Sequence, residues 1–260
     1  MKITIITICF NAEEIIEKTI RSIIPQLGED DEYILVDGLS TDNTMKVVKK
    51  YQKHFSKIIS ERDNGIADAF NKGISVANGD LIGLINAGDV LHENALLYVK
   101  QSYNTKIDVL YGDTIIYDKP NNERYIRKCK NIEYIQYELP FVHQSCFVST
   151  KTYEKFGKYS TLYRFCMDYE FMLKLYINGA VFKYTPKLIS EFTYDGVSYN
   201  KPFATLKEDM LIARSYGLKI YKALFYSFKY CFRVTCKRIL TGLKIWSYIN
   251  KIRKKLILQL

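Results

Sequence analysis

Short apolar runs alternate with amphipathic stretches along the first 112 residues of the chain. Each apolar run is long enough for one buried strand, and each amphipathic stretch repeats its apolar residues at the three- and four-residue spacing of a helix. The pattern predicts strands at residues 3–9, 32–36, 57–60, 81–85 and 109–112. It predicts helices at residues 12–24, 41–54, 66–77 and 92–103.

This alternation is typical of an α/β protein with a doubly wound, mostly parallel sheet and flanking helices. Residues 81–85 are continuously apolar apart from one glycine, as expected of a parallel strand buried on both faces. In such sheets, ligands bind beyond the carboxyl ends of the strands. The polar residues that follow each predicted strand are therefore the first candidates for function.

The pattern changes after residue 112. Residues 114–117 and 124–130 flank the sequence Lys-Pro-Asn-Asn, which predicts a hairpin. The other elements predicted here are a strand at 145–148, helices at 151–156 and 168–178, and a last strand at 181–189. We expect one domain over residues 1–200, divided into a first half at 1–112 and a second half at 113–200, followed by a helical extension at 201–260.

Charge separates that extension from the rest of the chain. The 260 residues include 38 Lys or Arg and 28 Asp or Glu, a formal net charge of +10. Residues 201–260 alone carry +12, from 14 basic residues against Glu208 and Asp209, so residues 1–200 carry −2. A nearly neutral body argues against a nucleic-acid groove, whereas a basic arm suits nucleic acid or an anionic membrane surface.

Cysteine usage and apolar segments indicate the compartment. The six cysteines form no C-x-x-C pair, so the sequence predicts neither a disulfide framework nor a zinc site, and a reducing cytoplasm is expected. The first apolar run is too short for a signal peptide, and acids follow it directly. Every window of about 18 residues contains a charge, so no membrane-spanning helix is predicted.

Polar residues follow four of the predicted strands. The clusters are Cys9-Phe10-Asn11, the run from Asp37 to Thr44, the run from Asp63 to Gly73, and Asn86-Ala87-Gly88-Asp89. Carboxylates gathered with amides, without histidine, suit Mg²⁺ or Mn²⁺ bridging a diphosphate. Taken singly, each cluster could instead cap the helix that follows it.

Two common phosphate-binding motifs are absent from the sequence. No G-x-G-x-x-G follows the first predicted strand, and no G-x-x-x-x-G-K-[ST] occurs anywhere. A dinucleotide-dependent oxidoreductase and a P-loop NTPase are therefore disfavoured.

Five spaced segments carry a resemblance to a known family. They are TICFN at 7–11, VDGLSTDNT at 36–44, DNGIADAFNKGI at 63–74, ANGDLIGLINAGD at 77–89 and HQS at 143–145. In this order they resemble the inverting glycosyltransferase family 2, of the bacterial surface-polysaccharide type. The resemblance implies a GT-A fold, a nucleotide-sugar donor, a divalent metal and inversion at the anomeric carbon. It also implies that residues 1–200 are the catalytic domain, with the nucleotide-sugar-binding half at 1–112 and the acceptor half at 113–200.

The resemblance also implies roles for the strand-end residues. It places Asp37 on the nucleotide base, where its carboxylate would accept a hydrogen bond from a ring N–H of uracil or a similar base. Asp89 matches the last acid of the family's metal motif and is the implied metal ligand. The implied donor-binding residues are Ile8, Phe10, Asn11, Asp37, Asp63, Lys72, Asn86 and Ala87.

The metal motif departs from the family's pattern. Asn86 and Gly88 occupy positions where many relatives have further acids. With Asp89 as the one carboxylate, Mg²⁺ or Mn²⁺ would depend more on the diphosphate and on water. We therefore expect weak metal affinity.

An inverting displacement needs a general base that takes the proton of the attacking acceptor hydroxyl. Asp168 resembles the family's base, which likewise opens a helix, and helix capping is its alternative role. Glu170 is the reserve candidate. The resemblance places Glu170, His143 and Gln144 near the acceptor, although His143 fits a hydrogen-bonded core histidine equally well.

The basic extension is predicted to be helical from residue 219 onward, where the sequence contains no proline and a single glycine, and residues 218–256 are the expected lipid-binding stretch. A basic stripe and an aromatic-rich apolar stripe lie side by side, as in a helix that rests on anionic lipid. A helix packed on the body and a coiled-coil homodimer are the alternatives. Nucleic acid is not expected, because the aromatic residues follow helical spacing rather than forming a stacking platform.

These features predict a metal-dependent inverting hexosyltransferase, cytoplasmic and peripheral on the inner face of a bacterial membrane. The expected donor is a nucleotide-diphosphate sugar, with a UDP-sugar favoured, and the expected acceptor is a polyprenyl-diphosphate-linked saccharide of O-antigen or capsule synthesis. Two alternatives remain. A sugar-phosphate nucleotidyltransferase usually needs a Gly-rich basic loop, which residues 9–14 lack, and a catalytically inactive nucleotide-sugar-binding protein would explain the thin metal motif.

Overall fold

The computed structural model of the chain describes residues 1–193 and 202–242, which form one mixed sheet flanked by helices. The strands are β1 Ile3–Cys9, β2 Glu32–Asp37, β3 Lys57–Ser60, β4 Leu81–Leu84, β5 Val90–Leu91, β6 Val109–Asp118, β7 Glu123–Arg127, β8 Cys146–Ser149 and β9 Phe182–Thr193. The α-helices are α1 Ile16–Ile23, α2 Thr44–Lys49, α3 Ile66–Ser75, α4 Ala95–Ser102, α5 Thr150–Phe156, α6 Met167–Ile177, α7 Pro202–Ser215 and α8 Ile220–Gly242.

The sheet has the order β3-β2-β1-β4-β8-β6-β9-β5, with β7 paired to β6. The first four strands of this order are parallel, which confirms the predicted α/β class. The second half is more mixed than the sequence predicts: β8, which follows a 3₁₀ turn at His143–Ser145, runs antiparallel to both β4 and β6.

Two apolar cores lie on opposite faces of the sheet. Ile6 of β1 and Val36 of β2 pack in one core with Phe70 of α3 and Phe171 of α6. Ile5, one residue earlier in β1, belongs to the opposite core with α1 and α4, because successive side chains of a strand point to opposite faces. Each fully buried side chain of this size contributes roughly 1.5–3 kcal/mol, which explains why the central strands are continuously apolar.

Helix α1 begins four residues later than the predicted start at residue 12. The backbone N–H groups of Ala12 and Glu13 donate instead to Thr44 Oγ1 at 2.7 Å and Asp42 Oδ2 at 3.1 Å. These partners are about thirty residues away in the loop after β2. These bonds anchor the turn that precedes α1, and the predicted start at residue 12 was wrong.

The strands of the second half also differ from the prediction. The two predicted strands at 109–112 and 114–117 form one strand, β6, whose pairing with β9 is irregular next to Gly112. A Cβ atom at Gly112 would lie 2.8 Å from the carbonyl oxygen of Lys187, so the close approach of the two strands requires glycine. β9 continues to Thr193 and pairs with the short, unpredicted β5.

The described part of the predicted extension packs against the body. Ile212 of α7 is fully buried and Val234 of α8 nearly so. Thr241 Oγ1 donates to Asn121 Oδ1 at 3.0 Å, which joins the end of α8 to the turn after β6. No helix in the described ranges is both long and apolar enough to cross a membrane. Residues 194–201 and 243–260, including the end of the predicted lipid-binding stretch, lie outside the described residues.

Candidate active site

The carboxyl ends of β1, β2, β3 and β4 lie side by side at one edge of the sheet. Cys9 at the end of β1 pairs with Asp37 at the end of β2, and Asp37 pairs with Ser60 at the end of β3. The backbone N–H of Ala87, just after β4, donates to the Ile8 carbonyl at 3.0 Å. The four polar clusters therefore meet at this edge, as the alternating pattern predicts.

Asp37 lies at the centre of this edge and is completely buried, with 0% of its surface exposed. Its carboxylate accepts hydrogen bonds from Ser60 Oγ at 2.7 Å, from Ser40 N at 3.2 Å and from Ser40 Oγ. Burial and the adjacent Asp37 charge raise the pKa of the Cys9 thiol far above its usual range, so this thiol is inert. Asp37 thus holds the turn after β2, and its predicted contact with a nucleotide base stays a prediction.

Phe10 and Leu39 form an exposed apolar surface beside Asp37, at 61% and 54% exposure. Asn11 joins the two turns that carry them: its backbone N–H donates to Ser40 Oγ at 2.9 Å, and its Oδ1 accepts from Thr41 N at 2.9 Å. The Asn11 amide oxygen therefore has a structural partner already. Of the predicted donor residues at the end of β1, Phe10 and Asn11 are exposed, whereas Ile8 is buried.

Asp63 and Lys72 have different positions within the third cluster. Asp63 lies against the turn after β2, where a Cβ atom on Gly38 would touch the Asp63 carboxylate and also approach the Phe10 ring. Lys72 Nζ donates to the Arg62 carbonyl at 2.6 Å and pairs with Glu61 at 3.1 Å. Lys72 thus organises the loop after β3, and the predicted contact of its ammonium group with a donor phosphate stays a prediction.

The fourth cluster forms a tight turn between β4 and β5. Asp89 is buried and its backbone N–H donates to the Asn86 carbonyl at 3.0 Å. Thr193 N donates to Asp89 Oδ1 at 3.3 Å, and Thr19 Oγ1 donates to the Asp89 carbonyl at 2.7 Å. The end of β9 and helix α1 therefore hold this turn in place.

The donor set of this turn fits a weakly held divalent cation. Asn86 Oδ1 is buried and has no hydrogen-bond partner among the described residues, which leaves an amide oxygen available near Asp89. Hard oxygen ligands of this kind suit Mg²⁺ or Mn²⁺. The described residues contain no group of three or more His, Cys, Asp or Glu that could bind a metal without help from a ligand.

Asp168 lies in the first turn of α6 and is half-buried. The cap residue of this helix is Cys166, and the Asp168 carboxylate accepts a hydrogen bond from the first-turn Tyr169 N at 2.8 Å through its Oδ1, so Asp168 also satisfies one N–H group of the helix start. A carboxylate in the first turn is stabilised by the helix dipole. The charge of Asp168 also reaches His143, where it opposes the larger effect of burial, which lowers the pKa of that imidazole.

His143 and Gln144 lie beneath the surface, at 5% and 6% exposure. The His143 Nε2 atom lies 2.7 Å from the Tyr159 hydroxyl, and its ring stacks on Phe70 with 5.5 Å between the ring centroids. This geometry favours the core alternative for His143 over the predicted acceptor contact. A local sequence pattern does not distinguish the two, because Tyr159 and Phe70 come from other elements.

Glu170, the reserve base and predicted acceptor residue, is buried. Its Oε1 accepts a hydrogen bond from the Tyr216 hydroxyl at the end of α7. Its Oε2 has no hydrogen-bond partner among the residues that the structure describes. Glu170 thus connects α6 to α7, and Asp168 is the more accessible of the two carboxylates.

The sequence does not predict a role for Glu208 of α7, although the structure brings it to the start of α6. Its carboxylate accepts hydrogen bonds from three consecutive backbone N–H groups, those of Arg164, Phe165 and Cys166. The one signal in the sequence was the isolated acidic pair Glu208-Asp209 in a segment whose other charges are all positive.

Comparison with known proteins identifies the family. The family model described as Glycosyl transferase family 2 matches residues 4–168, from β1 to the first turn of α6. The chain belongs to glycosyltransferase family 2. A "PGL/p-HBAD biosynthesis glycosyltransferase" of Mycobacterium bovis (strain BCG / Pasteur 1173P2) is 26% identical over 184 residues, which are 68% of this chain and 71% of that protein.

Solved glycosyltransferase structures share the fold, which confirms the predicted GT-A class. S. aureus TarS 1-349 in complex with UDP superposes with a TM-score of 0.62 at 20% identity, over 82% of this chain and 64% of that chain. The mannosyltransferase PcManGT from Pyrobaculum calidifontis, in complex with GDP-Man and Mn²⁺, superposes with a TM-score of 0.64 at 15% identity, over 88% of this chain and 69% of that chain. This family 2 chain thus spans about two thirds of these structures.

Proposed function

We propose that this family 2 glycosyltransferase moves a hexose, with inversion, from a UDP-sugar to a hydroxyl of a lipid-linked saccharide in bacterial surface-polysaccharide synthesis. The observation that carries the proposal is the position of Asp168. It is a half-buried carboxylate in the first turn of α6, one oxygen of which accepts from Tyr169 N, and it ends the segment matched by the family. Asp168 is the general base in this proposal.

The reaction uses the chain's residues as follows. The acceptor oxygen attacks the anomeric carbon, its proton passes to the Asp168 carboxylate, and the bond between that carbon and the diphosphate oxygen breaks on the opposite face. The nucleoside diphosphate leaves with the bonding electron pair. A carboxylate positioned in this way contributes typically about 10²- to 10⁴-fold in rate.

The donor would bind at the edge formed by β1 to β4. The exposed rings and side chains of Phe10 and Leu39 would flank the nucleoside, above the buried Asp37. Asp63 lies beside them, and the segment Asn86-Ala87 borders the place where the diphosphate would lie. The UDP complex of a structural neighbour supports a uridine nucleotide.

A divalent cation, Mg²⁺ or Mn²⁺, is part of the proposal. Asp89 and the buried Asn86 Oδ1 would hold it, and when bound it would stabilise the negative charge that develops on the departing diphosphate. The Mn²⁺ in the mannosyltransferase neighbour supports this choice of chemistry.

Helix α8 supports a membrane-bound acceptor. Tyr221, Phe225, Phe228 and Phe232 recur at steps of three or four and are all exposed, while Cys231 and Val234 on the other face are buried against the body. Residues 210–260 contain twelve basic residues and no acid. An aromatic stripe with this charge complements an anionic lipid surface, where it would hold the chain at the cytoplasmic face of the inner membrane.

A shallow cleft beside α8 would receive the head of the acceptor. A cavity of about 400 Å³ is lined by Tyr137, Tyr221, Lys222, Phe225 and Tyr226. The Lys222 ammonium group donates to the Tyr137 hydroxyl at 3.2 Å, and the Tyr137 and Tyr226 rings stack with 5.0 Å between centroids. Aromatic faces suit sugar rings, and lysine suits the diphosphate of a polyprenyl carrier.

The test is to incubate the full chain with a panel of nucleotide sugars, Mg²⁺ or Mn²⁺ and a polyprenyl-diphosphate-linked saccharide, and to measure sugar transfer. The proposal expects one donor to be consumed with transfer to the lipid, and expects Asp168→Asn to abolish transfer while still binding donor. Asp30→Asn, which removes an exposed carboxylate elsewhere, is the matched control and should transfer normally.

Three results would overturn the proposal. Release of pyrophosphate in a parallel incubation with a nucleoside triphosphate and a sugar phosphate in place of the nucleotide sugars would identify a nucleotidyltransferase. Binding of donors without consumption of any would identify an inactive binding protein. Transfer by Asp168→Asn at the wild-type rate would show that Asp168 is not the base.

A further inference from the structure

Glu208 of α7 holds the loop that leads into α6. Its two carboxylate oxygens accept from Arg164 N at 2.9 Å, from Phe165 N at 2.8 Å and from Cys166 N at 2.9 Å. Hydrogen bonds to an ionised carboxylate are shorter and roughly twice as strong as neutral ones. Three consecutive N–H groups reach one carboxylate only if the backbone curves around it, so Glu208 determines the shape of this loop.

The start of α6 lacks a side-chain cap of its own. Its cap residue is Cys166, which makes no side-chain capping hydrogen bond; its thiol instead donates to the Thr205 carbonyl at 3.6 Å. Glu208 supplies from another helix the negative charge that is favourable near a helix N-terminus. Asp168 follows Cys166 by only two residues, so whatever orients Cys166 also orients the first turn that carries Asp168.

We infer that Glu208 is a positioning residue for the transfer reaction: it orients the loop 164–166 and thereby sets the direction of the Asp168 carboxylate. The inference rests on the proposed role of Asp168 as the base. Glu208 itself does not touch substrate in this inference, and it acts only through the backbone of that loop.

Other contacts of α7 fix Glu208 in place. The neighbouring Asp209 accepts a hydrogen bond from the buried Ser227 Oγ of α8 at 2.9 Å. Tyr216, at the end of α7, donates to Glu170 in the first turn of α6. Helix α7 thus contacts α6 both before and within its first turn, while α8 supports α7 from the other side.

The inference predicts a loss of turnover without a loss of donor binding. Glu208→Gln keeps the size of the side chain but replaces one accepting oxygen with an NH₂ group, which faces backbone N–H groups that can only donate. Misplacement of a reacting group by about 1 Å can lower the rate about 100-fold. We therefore expect kcat to fall between about 10- and 100-fold, with the KM for the donor within twofold of wild type.

Steady-state transfer assays and donor titrations on the full chain test this expectation. Lys207→Gln is the matched control, because it removes one charge from an exposed neighbouring position of the same helix. Glu208→Asp, which keeps the charge and shortens the side chain by one methylene, should recover part of kcat. If thermal melting shows that Glu208→Gln is unfolded, the same comparison of kcat with the KM for the donor is made on Glu208→Asp.

Two results would overturn the inference. If Glu208→Gln has the wild-type kcat while Asp168→Asn is inactive, Glu208 does not position the base, and the proposed function still stands. If Glu208→Gln lowers kcat, donor affinity and melting temperature together, Glu208 only stabilises the fold. Transfer by Asp168→Asn at the wild-type rate is the separate failure of the proposed function.

Discussion

Lys237 of α8 forms an ion pair with Asp118 at the end of β6, and the pair is almost completely buried, with side-chain exposures of 12% and 1%. Asp118 Oδ2 also accepts from Asn121 Nδ2 at 2.9 Å, whereas Asp118 Oδ1 is buried without a hydrogen-bond partner among the described residues. A buried carboxylate with so few partners depends on the nearby cation. The pair therefore ties α8 to the acceptor half of the sheet.

Lys237→Met should destabilise the protein, because it leaves the Asp118 carboxylate buried and without its cation. Removing one partner of a buried pair costs about 3–5 kcal/mol. The loss of stability here is limited by the free energy of docking α8 on the body, because Asp118 regains water once α8 detaches. Denaturant unfolding measures the loss, and proteolysis within α8 should become faster. The exposed Lys229→Met is the control. Adding Asp118→Asn to Lys237→Met should restore much of the stability, and an unrestored double variant would contradict this account.

Asp209 should make stability depend on pH. Burial raises its pKa from 3.8 to about 6; the hydrogen bond from Ser227 opposes the shift, and the charges of Asp168 and Glu208 add to it. The folded state then binds this proton more tightly than the unfolded state does. The stabilisation is complete below about pH 4 and is lost as the pH rises through about 6, a change on the order of 3 kcal/mol.

Asp209→Asn should remove that dependence. Its amide oxygen still accepts from Ser227, and no charge is buried at high pH. We expect the free energy of unfolding to exceed that of wild type above about pH 6 and to change less between pH 4 and 6. Denaturant unfolding at several pH values measures this, with Asp30→Asn as the exposed control. Parallel wild-type and variant curves would rule out the raised pKa.

Transfer should require Mg²⁺ or Mn²⁺. Chelation by EDTA should stop the reaction, and either ion should restore it. Asp89→Asn should raise the metal concentration for half-maximal rate by roughly tenfold or more, since even groups that only orient metal ligands change affinity about 10- to 100-fold. Glu93→Gln, an exposed acid nearby, is the control. Full activity of the wild type in EDTA would remove the metal from the mechanism.

The exposed stripe of α8 should bind anionic lipid. The double variant Phe228→Ser and Phe232→Ser removes two rings that are 64% and 62% exposed, and flotation with phosphatidylglycerol vesicles should be lost. Added salt should weaken wild-type binding, because screening reduces the attraction of the basic residues. Leu97→Ser, an exposed apolar residue on α4, is the control. If the double variant floats like wild type, the stripe does not bind lipid. If the wild type is a dimer and the double variant is a monomer, the stripe is a dimer interface instead.

Local pattern was sufficient for the parallel half of the sheet. Ile5 and Ile6 face opposite cores because of the alternation within a strand, and the ends of β1 to β4 meet because consecutive parallel strands share one edge. The position of Asp168 in the first turn of a helix also followed from the residues around it. These features depend on neighbours within one element or in the next.

The roles of Asp37, His143 and Glu208 depended on the tertiary structure. The hydrogen bond between Ser60 and Asp37 joins residues 23 positions apart in the sequence, and the one between Tyr159 and His143 joins residues 16 apart. The bond from Cys166 N to Glu208 spans 42 positions. A hydrogen bond between distant residues leaves no periodic trace, since each partner alone looks like an ordinary polar residue. The sequence by itself determined the fold class, the family and the charged extension, because periodicity, motif order and charge are properties of the chain. Only the packing of α7 against α6 decided that an acid within that basic extension supports the proposed base.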